Sequence, residues 1–381
     1  MNNSIAINLR RFRTIRKMTQ EKAAAKAGIS RVAYRAIETG KAEPRVATLD
    51  AIARALATDV FALVAKTPEP KTLRFRAHST LTAQERAERQ QLIVDTLEWV
   101  ADFNELEDML KERPKVRIEP ASRKPADIAR FAESVRRDNF GISCEDCVPN
   151  VCDVLEQGGV KVRIVQSHIK GLFGFSVGAD DGGPAVAVNA AEPIPVERQI
   201  FTAAHELGHL LLHQDSFNPE VEKEDARQER EADLFASHFL MPQDAFKAEW
   251  DRNMGLHWVD RVLKTKRTFR VSWMTVLYRL CETGLADKRK IFWQFKTAFE
   301  QRTGGKLNYK REPEPLVPTS PRRPAEEPVR LNEYDFYEDR FALLVRQALI
   351  KNEISVSRSA EMLRMSIGET RELLAEWEAH P

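Results

Sequence analysis

The segment IFTAAHELGHLLLH, at residues 200–213, constrains this chain more than any other. It places His205-Glu206-x-x-His209 inside an apolar helical pattern. Residues i and i+4 share one helix face, so both imidazoles can bind one zinc ion while Glu206 reaches the water beside it. Zinc lowers the pKa of that water toward neutrality, and Glu206 can accept its proton and pass it to a leaving amine. The pattern predicts a site for peptide hydrolysis.

A catalytic zinc site needs a third protein ligand, and the helical stretch EREADLFA at 229–236 offers acids. Glu229 shares a face with apolar residues such as Ala232, which predicts that it points with the buried side. Asp233, one turn later, is predicted to hydrogen-bond a zinc-binding histidine. Glu231 lies about 200 degrees round the helix from Glu229 and is the alternative third ligand.

Two further features have metal-ligand chemistry. His213 lies roughly 12 Å along a straight helix from His205, too far to share its metal, so we do not predict it as a ligand. The set Cys144-x-x-Cys147-x4-Cys152 is three quarters of a structural zinc site without an evident fourth ligand. We interpret these cysteines as small, partly buried thiols, and their role stays open.

Charge is distributed unevenly along the chain. Residues 1–80 hold sixteen Lys/Arg and six Asp/Glu, a net charge of +10, whereas the whole chain carries only +2. A basic N-terminal unit indicates a polyanionic partner for that part alone. The same residues read as short helices, with Thr19 and Ser30 as helix caps and Gly28 and Gly40 as stops. Two such helices joined by a glycine-containing turn form a helix-turn-helix.

The pattern along the chain predicts a multidomain protein. An all-α helix-turn-helix domain is followed by an α+β zinc peptidase domain that resembles the gluzincins, and by a small helical C-terminal unit. Short β-like runs at 161–165 and 185–189 supply strands for the middle domain. The predicted ranges are 6–64 for the first domain, 65–80 for a linker, 81–300 for the peptidase domain with a leading helix at 82–112, 311–328 for a disordered proline-rich linker, and 333–379 for the tail.

No stretch approaches the length and apolarity of a membrane span, and the first residues lack the pattern of a secretory signal. We therefore expect a cytoplasmic protein with no membrane partner. Four cysteines are too few for a disulfide scaffold in a chain of this size. The tail is read either as a second unit similar to a helix-turn-helix or as a module for dimerisation or partner binding.

HELGHLLLH followed by EREADLFASHFLMP resembles the ImmA/IrrE family of metallopeptidases. Its pattern is HExxH, then E-x-x-A-[D/N]-x-F-A and a Leu-Met-Pro ending, and the resemblance covers about residues 115–300. It implies that His205, His209 and Glu229 are metal ligands and that Glu206 is the general base. Zinc is the expected metal, with manganese as the alternative.

Residues 6–64 resemble the XRE, or Cro/C1-type, helix-turn-helix. In that family the helix beginning at Ser30 enters the major groove, and the helix before it sets its N-terminus against phosphate. The resemblance predicts a double-stranded DNA operator as partner and a homodimer on palindromic half-sites. Carried over by position, the residues predicted to contact DNA are Gln20, Ser30, Arg31, Tyr34, Arg35, Lys41 and Arg45.

Together the two resemblances imply a DNA-binding transcriptional regulator with a zinc-dependent endopeptidase domain. Separate members of the peptidase family cut XRE-type repressors, so the expected substrate is such a repressor or the chain itself, in a response to stress or another signal. The alternative hypothesis is a non-proteolytic repressor or antitoxin-like regulator that uses the zinc fold as a sensor or dimerisation body. A general protein-degrading enzyme fits poorly with an N-terminal DNA reader.

Overall fold

Helices and one small mixed sheet make up the computed structural model, which describes residues 3–65, 70–75, 81–121, 125–148, 150–221, 225–308, 311–314, 316 and 331–379. Contacts divide the chain into two compact units. The first comprises 1–71, 77–99 and 169–171, and the second comprises 72–76, 100–168 and 172–381. The predicted fold class is confirmed: a helical N-terminal domain precedes a mixed sheet with helices, and helices end the chain.

Five helices form the N-terminal bundle: α1 (Asn3–Ile15), α2 (Gln20–Lys26), α3 (Arg31–Glu38), α4 (Val46–Ala55) and α5 (Val60–Val64). The predicted caps are confirmed, because the Thr19 and Ser30 side chains accept hydrogen bonds from the backbone N–H groups of Lys22 and Ala33. Gly28 follows α2 with a φ of 67°, in the left-handed region that a glycine adopts without steric cost.

The bundle packs around its own apolar core, which includes Leu9, Ala23, Ile37, Ile52 and Leu63. A partly buried ion pair joins two of its helices: the Arg13 guanidinium donates to both carboxylate oxygens of Glu38, at 2.8 and 2.7 Å. A forked pair of this kind fixes orientation as well as distance. The core and the pair hold α3 against α1.

The remaining helices, in chain order, are α6 (Ala83–Leu110), α7 (Ile128–Asp138), α8 (Val151–Gln157), α9 (Val196–Leu212), α10 (Ala226–Leu240), α11 (Gln243–Arg252), α12 (Trp258–Phe269), α13 (Trp273–Glu282), α14 (Ile291–Thr303), α15 (Arg340–Ile350), α16 (Val356–Leu363) and α17 (Ile367–Ala379). The division between the two units falls within α6. In the part of the chain that the structure describes, no helix is long and apolar enough to cross a membrane.

The strands are β1 (Leu73–Arg74), β2 (Lys161–Val165), β3 (Gly174–Val177) and β4 (Ala185–Asn189), in the order β1-β3-β4-β2. Strands β2 and β4 pair in parallel, and β3 is antiparallel to both β4 and β1. The two predicted strands are confirmed at 161–165 and 185–189. Every residue of β4 is buried, as expected for a central strand that packs on both faces.

Part of the predicted linker at 65–80 is a strand of the sheet. Leu73 and Arg74 pair with Val177 and Ser176, and the side chains of Leu73 and Phe75 are buried. Proline and charge around this stretch indicated a linker, but the apolar residues within it pack on the sheet. Residues 66–69 and 76–80 of the predicted linker lie outside the described residues.

Helices α9 and α10 pack together within one large core. Gly208 on α9 permits a close approach, because an added Cβ would lie 3.0 Å from the ring of Phe235 on α10. Phe235 and Phe239 stack with ring centroids 5.8 Å apart along the same face of α10. This contact places the C-terminal half of α9 directly against the second half of α10.

The C-terminal helices belong to the second unit. Arg340 donates to the buried Glu107 carboxylate of α6 at 2.5 Å, and Arg358 donates to Asp102 at 2.6 Å. The first residues of the predicted disordered linker at 311–328 make ordered contacts in the structure. Glu312 accepts a hydrogen bond from the Trp273 N–H at 3.2 Å, and its carboxylate lies 3.8 Å from the buried Lys266 ammonium. Residues 317–328 lie outside the described residues.

Candidate functional site

Helix α9 presents His205, Glu206 and His209 toward the sheet and α10. Almost the whole helix is buried, and His209 and Glu206 are 0% and 4% exposed. The two imidazoles meet, with their Nε2 atoms 3.0 Å apart. The i, i+4 spacing therefore brings two ring nitrogens to one point, as predicted from the helical pattern.

Glu229, near the start of α10, completes a three-residue cluster. One carboxylate oxygen lies 3.2 Å from His205 Nε2, and the other lies 3.6 Å from His209 Nε2. One potential ligand atom from each residue lies within 4.8 Å of the others, and this is the one such group among the described residues. Two neutral imidazoles and a carboxylate form the donor set of many catalytic zinc sites, so the residues fit the metal that the sequence predicts.

Asp233 holds the outer nitrogen of His205. Its carboxylate oxygen Oδ1 lies 2.9 Å from His205 Nδ1, one turn of α10 beyond Glu229. A carboxylate on Nδ1 keeps the proton on that nitrogen and leaves the Nε2 lone pair free for a metal. The geometry agrees with the orienting role predicted for Asp233.

Glu206 lies between the histidines on the sequence but faces β3. Ser176 donates a short hydrogen bond from Oγ to Glu206 Oε2. Gly174 also borders this side chain, since an added Cβ would lie 3.2 Å from Glu206 Cγ and 2.6 Å from Thr202 Cγ2. Burial raises the pKa of the Glu206 carboxyl, against the lowering effect of His205 and Arg74. A raised pKa suits a group that must accept and return a proton.

The predicted DNA-binding residues lie in the N-terminal bundle, and five of the seven are exposed: Ser30, Arg31, Arg35, Lys41 and Arg45. Arg31 and Arg35 are one turn apart on the outer face of α3. Gln20, the first residue of α2, donates from its side chain to Glu38 at 3.3 Å. The structure thus gathers four cations on or next to the predicted recognition helix.

Tyr34 is a correction to the predicted set. Its side chain is 0% exposed and belongs to the core of the bundle. Tyr34 and Ile37 lie on the inner face of α3, while Arg31 and Arg35 lie on the outer face. Position in the family pattern indicated a DNA contact, but the inward face of an amphipathic helix packs against the core.

Comparison with known families bears on both units. Residues 9–63 match the helix-turn-helix model, and residues 156–281 match the model of the IrrE N-terminal-like domain, of the M78 peptidases. The chain fuses these two modules. No curated protein matches it significantly. The matches support a DNA-binding regulator with a peptidase-like domain, and the cluster of His205, His209 and Glu229 lies inside the IrrE-like segment.

Arg74 lies outside that segment and was missed by sequence reasoning. It is buried on β1, and its guanidinium forms a short ion pair with Glu229 Oε1. No local signal could have found it, because Arg74 belongs to a stretch interpreted as a linker and its partner is 155 residues away. Only the pairing of β1 with β3 brings it to the IrrE-like cluster.

Hydrogen bonds and charges set the protonation of the cluster. Burial alone would lower the pKa of His205, but its hydrogen bonds with Asp233 and Glu229 raise that pKa to about 9. Burial would raise the pKa of Glu229, but hydrogen bonds with His205 and His209 and the charge of Arg74 hold it far below its usual range. The Glu229 side chain is therefore held as a carboxylate, and metal ligands must be deprotonated in this way.

His213 and Glu231 pair with each other, a contact that sequence reasoning also missed. His213 ends α9, with Nδ1 2.9 Å from His209 Nδ1 and Nε2 3.0 Å from Glu231 Oε2. The three cysteines predicted as thiols form no disulfide, and Cys152 is buried. Burial raises the pKa of the Cys152 thiol, so that sulfur is held in its protonated form.

Proposed function

We propose that this chain is a DNA-binding transcriptional regulator whose second unit is a zinc-dependent endopeptidase. One observation carries the proposal: the Nε2 atoms of His205 and His209 converge with the Glu229 carboxylate, beside a buried glutamate on the same helix. A structural zinc site needs four protein ligands and no base. Three ligands and an adjacent carboxyl group instead match a catalytic site with one open position.

The residues would divide the reaction as follows. His205, His209 and Glu229 would hold the metal, and Asp233 would orient His205. Zinc supplies Lewis-acid polarisation of water and of a peptide carbonyl when it is bound. Glu206 would accept a proton from the attacking water and deliver it to the nitrogen of the leaving amine, and Ser176 would hold the Glu206 carboxyl in place through its hydroxyl. Manganese is the alternative metal.

The N-terminal bundle would bring this activity to an operator. Arg31 and Arg35 project from the exposed face of α3, where they can reach guanine edges or phosphates in the major groove. Ser30, Lys41, Arg45 and the N-terminus of α2 at Gln20 would contact the backbone and set the register. Binding to palindromic half-sites would require a homodimer.

A repressor-type protein or the chain itself is the proposed substrate, with cleavage controlled by stress or another signal. The alternative is a regulator that senses metal without proteolysis. The contact of Arg74 with Glu229 favours that alternative, because a guanidinium on the third ligand competes with a metal cation. The raised pKa of Glu206 favours the enzyme, because a sensor has no need of a proton carrier beside its metal.

The test is metal content and proteolysis measured together. The purified full chain is incubated with zinc or manganese and with the XRE-type repressors encoded beside its gene, and Glu206→Gln serves as the matched control because it retains the ligands. We expect one metal per chain in both proteins. Cleavage should fall by about 10² to 10⁴-fold in the variant, the usual contribution of a general acid–base group.

Bound metal in both proteins without cleavage of a partner or of the chain itself would favour the sensor. Failure to bind zinc or manganese would overturn both hypotheses for the second unit.

A further inference from the structure

We infer that Glu231 and His213 form a hydrogen-bonded chain that positions the imidazole of His209 for metal binding. The inference rests on the proposed function, since it takes His209 as a ligand, and it adds two positioning residues to the site. Asp233 positions His205 by a direct contact. His209 is linked to its carboxylate indirectly, because the His213 imidazole lies between His209 and Glu231.

The contacts are continuous from the cluster to the protein surface. His209 Nδ1 lies 2.9 Å from His213 Nδ1, and His213 Nε2 lies 3.0 Å from Glu231 Oε2. The other oxygen of Glu231 accepts a hydrogen bond from Arg227 Nε at 3.0 Å, one turn earlier on α10. Every polar atom along this path thus has a partner at hydrogen-bonding distance.

Metal binding would set the direction of each hydrogen bond. To bind a metal, His209 Nε2 must offer its lone pair. The proton of the neutral ring therefore stays on Nδ1, which donates a hydrogen bond to His213 Nδ1. His213 must then accept at Nδ1, and its own proton stays on Nε2. That N–H needs an acceptor, and Glu231 Oε2 supplies one, while Arg227 donates to the other carboxylate oxygen. Only one set of tautomers satisfies the whole chain.

Burial makes the chain necessary for His209. Its side chain is 0% exposed and that of His213 is 5% exposed, so bulk water does not reach the nitrogen between them. Asp233, by contrast, is 56% exposed, and water can replace it beside His205. An unpartnered buried N–H carries a desolvation cost, which would turn the His209 ring away from the metal or favour its other tautomer.

The same distances assign Glu231 and His213 to positioning rather than to ligation. The two oxygens of Glu231 face His213 and Arg227, and neither joins the group of His205, His209 and Glu229. His213 meets His209 through the nitrogen on the far side of that ring from the cluster.

The experiment measures zinc affinity of the full-length protein by competition with a chromophoric chelator, and measures thermal unfolding of the metal-free protein. His213→Phe removes the acceptor but keeps an aromatic ring of similar size. His213→Asn retains an oxygen near the position of Nδ1. The exposed His168 is not part of the hydrogen-bonded chain, so His168→Phe is the control for loss of a histidine. The Co²⁺ absorption spectrum of each variant reports ligand geometry, which a merely structural role would not change.

We expect His213→Phe to weaken zinc binding by about 10 to 100-fold and to alter the Co²⁺ spectrum, the usual size of effects from partners of a ligating histidine. His213→Asn should lie nearer the wild type, and His168→Phe should match it. Glu231→Leu should weaken binding alone but add nothing in the double variant with His213→Phe, because the two residues act in series.

Equal zinc affinity of wild type and His213→Phe would overturn the positioning role while leaving the proposed function intact. Additive effects of Glu231→Leu and His213→Phe would also overturn it. If His213→Phe does not fold, Glu231→Leu decides the matter, because an unchanged affinity there contradicts the chain. Absence of zinc binding in the wild type would instead remove the proposed function, and this inference with it.

Discussion

The Glu229 carboxylate lies between the two histidines of the cluster and a buried arginine. It meets His205 and Arg74, and it lies 3.6 Å from His209. In the metal-free protein Arg74 neutralises a carboxylate that is mostly buried. A bound zinc ion would supply that positive charge itself, so Arg74 and the metal act on the same group.

We predict that Arg74→Met destabilises the metal-free protein by about 1 to 3 kcal/mol, because it leaves the Glu229 charge without its cation. The loss should shrink when zinc is present, since the ion replaces the guanidinium. Denaturant unfolding with chelator and with zinc measures both values. Arg137→Met, which removes an exposed pair with Asp138, is the control and should have little effect in either condition. An equal loss with and without zinc would show that Arg74 does not act through Glu229.

Among the elements, α3 shows how one short helix serves two environments. Arg31 and Arg35 lie on its exposed face, and Tyr34 and Ile37 lie on its buried face. The hydroxyl of Tyr34 is buried and has no hydrogen-bond partner among the described residues. Tyr34 therefore stabilises the bundle through packing of its ring and not through its hydroxyl.

We predict that Tyr34→Phe keeps DNA binding and leaves stability unchanged or slightly higher, because it removes a buried, unsatisfied hydroxyl. Tyr34→Ala should cost about 3 to 5 kcal/mol through the cavity that it leaves. Arg35→Ala should keep the fold and weaken specific DNA binding by about 1 to 3 kcal/mol if Arg35 contacts a base. Thermal unfolding and binding titrations at one salt concentration separate these effects. Loss of DNA binding in folded Tyr34→Phe would restore Tyr34 to the interface.

The end of α8 carries a pH-sensitive contact. Burial, together with the negative charge of Glu338, raises the pKa of Glu156 to about 8, although Arg340 opposes the shift. Asp339 and Asp153 add further negative charge. Because the folded protein favours the protonated form, this group's contribution to stability is complete below its unfolded pKa of about 4.5 and is lost as pH rises toward about 8.

We predict that Glu156→Gln matches the wild type in stability near pH 5 and exceeds it near pH 9 by on the order of 2 kcal/mol, since the amide cannot ionise. The measurement is denaturant unfolding of both proteins across that range. Glu145→Gln, on an exposed glutamate, is the matched control and should track the wild type throughout. A constant difference between Glu156→Gln and wild type at every pH would mean that ionisation of Glu156 is not the cause.

At the scale of the whole molecule, the two proposed functions are assigned to units with separate cores. The predicted DNA-binding residues lie in the first unit, and the metal cluster lies in the second. Most of the basic excess lies in the first unit, because residues 1–71 hold fourteen Lys/Arg and six Asp/Glu. The proposed contact with DNA phosphates needs a basic surface, whereas the proposed peptide hydrolysis does not.

We predict that the two activities are lost independently. A double variant Arg31→Ala and Arg35→Ala should lose operator binding and keep zinc affinity within about 2-fold, whereas His205→Ala should lose zinc and keep operator binding. Electrophoretic or fluorescence titration with DNA and chelator competition for zinc give the two readouts on the same samples. Operator affinity that changes with zinc removal in the wild type would show that the units are coupled.

Features that depend on local geometry could be predicted from the sequence. The i, i+4 spacing on α9, the helix caps at Thr19 and Ser30, and the short apolar strands β2 and β4 follow from backbone geometry that is the same wherever such patterns fold. Glu229 could be preferred over Glu231 on the same basis, because the helical period separates the faces of α10.

Contacts between distant elements could not be predicted in this way and depend on the folded structure. The pairing of Arg74 with Glu229 and of His213 with Glu231, and the burial of Tyr34, depend on how β1 pairs with β3, how α9 packs on α10 and which face of α3 meets the bundle. These contacts result from the packing of whole surfaces, which cannot be read from the spacing of residues along the chain. The metal cluster is therefore readable from the sequence, whereas the residues that hold and neutralise its members are not.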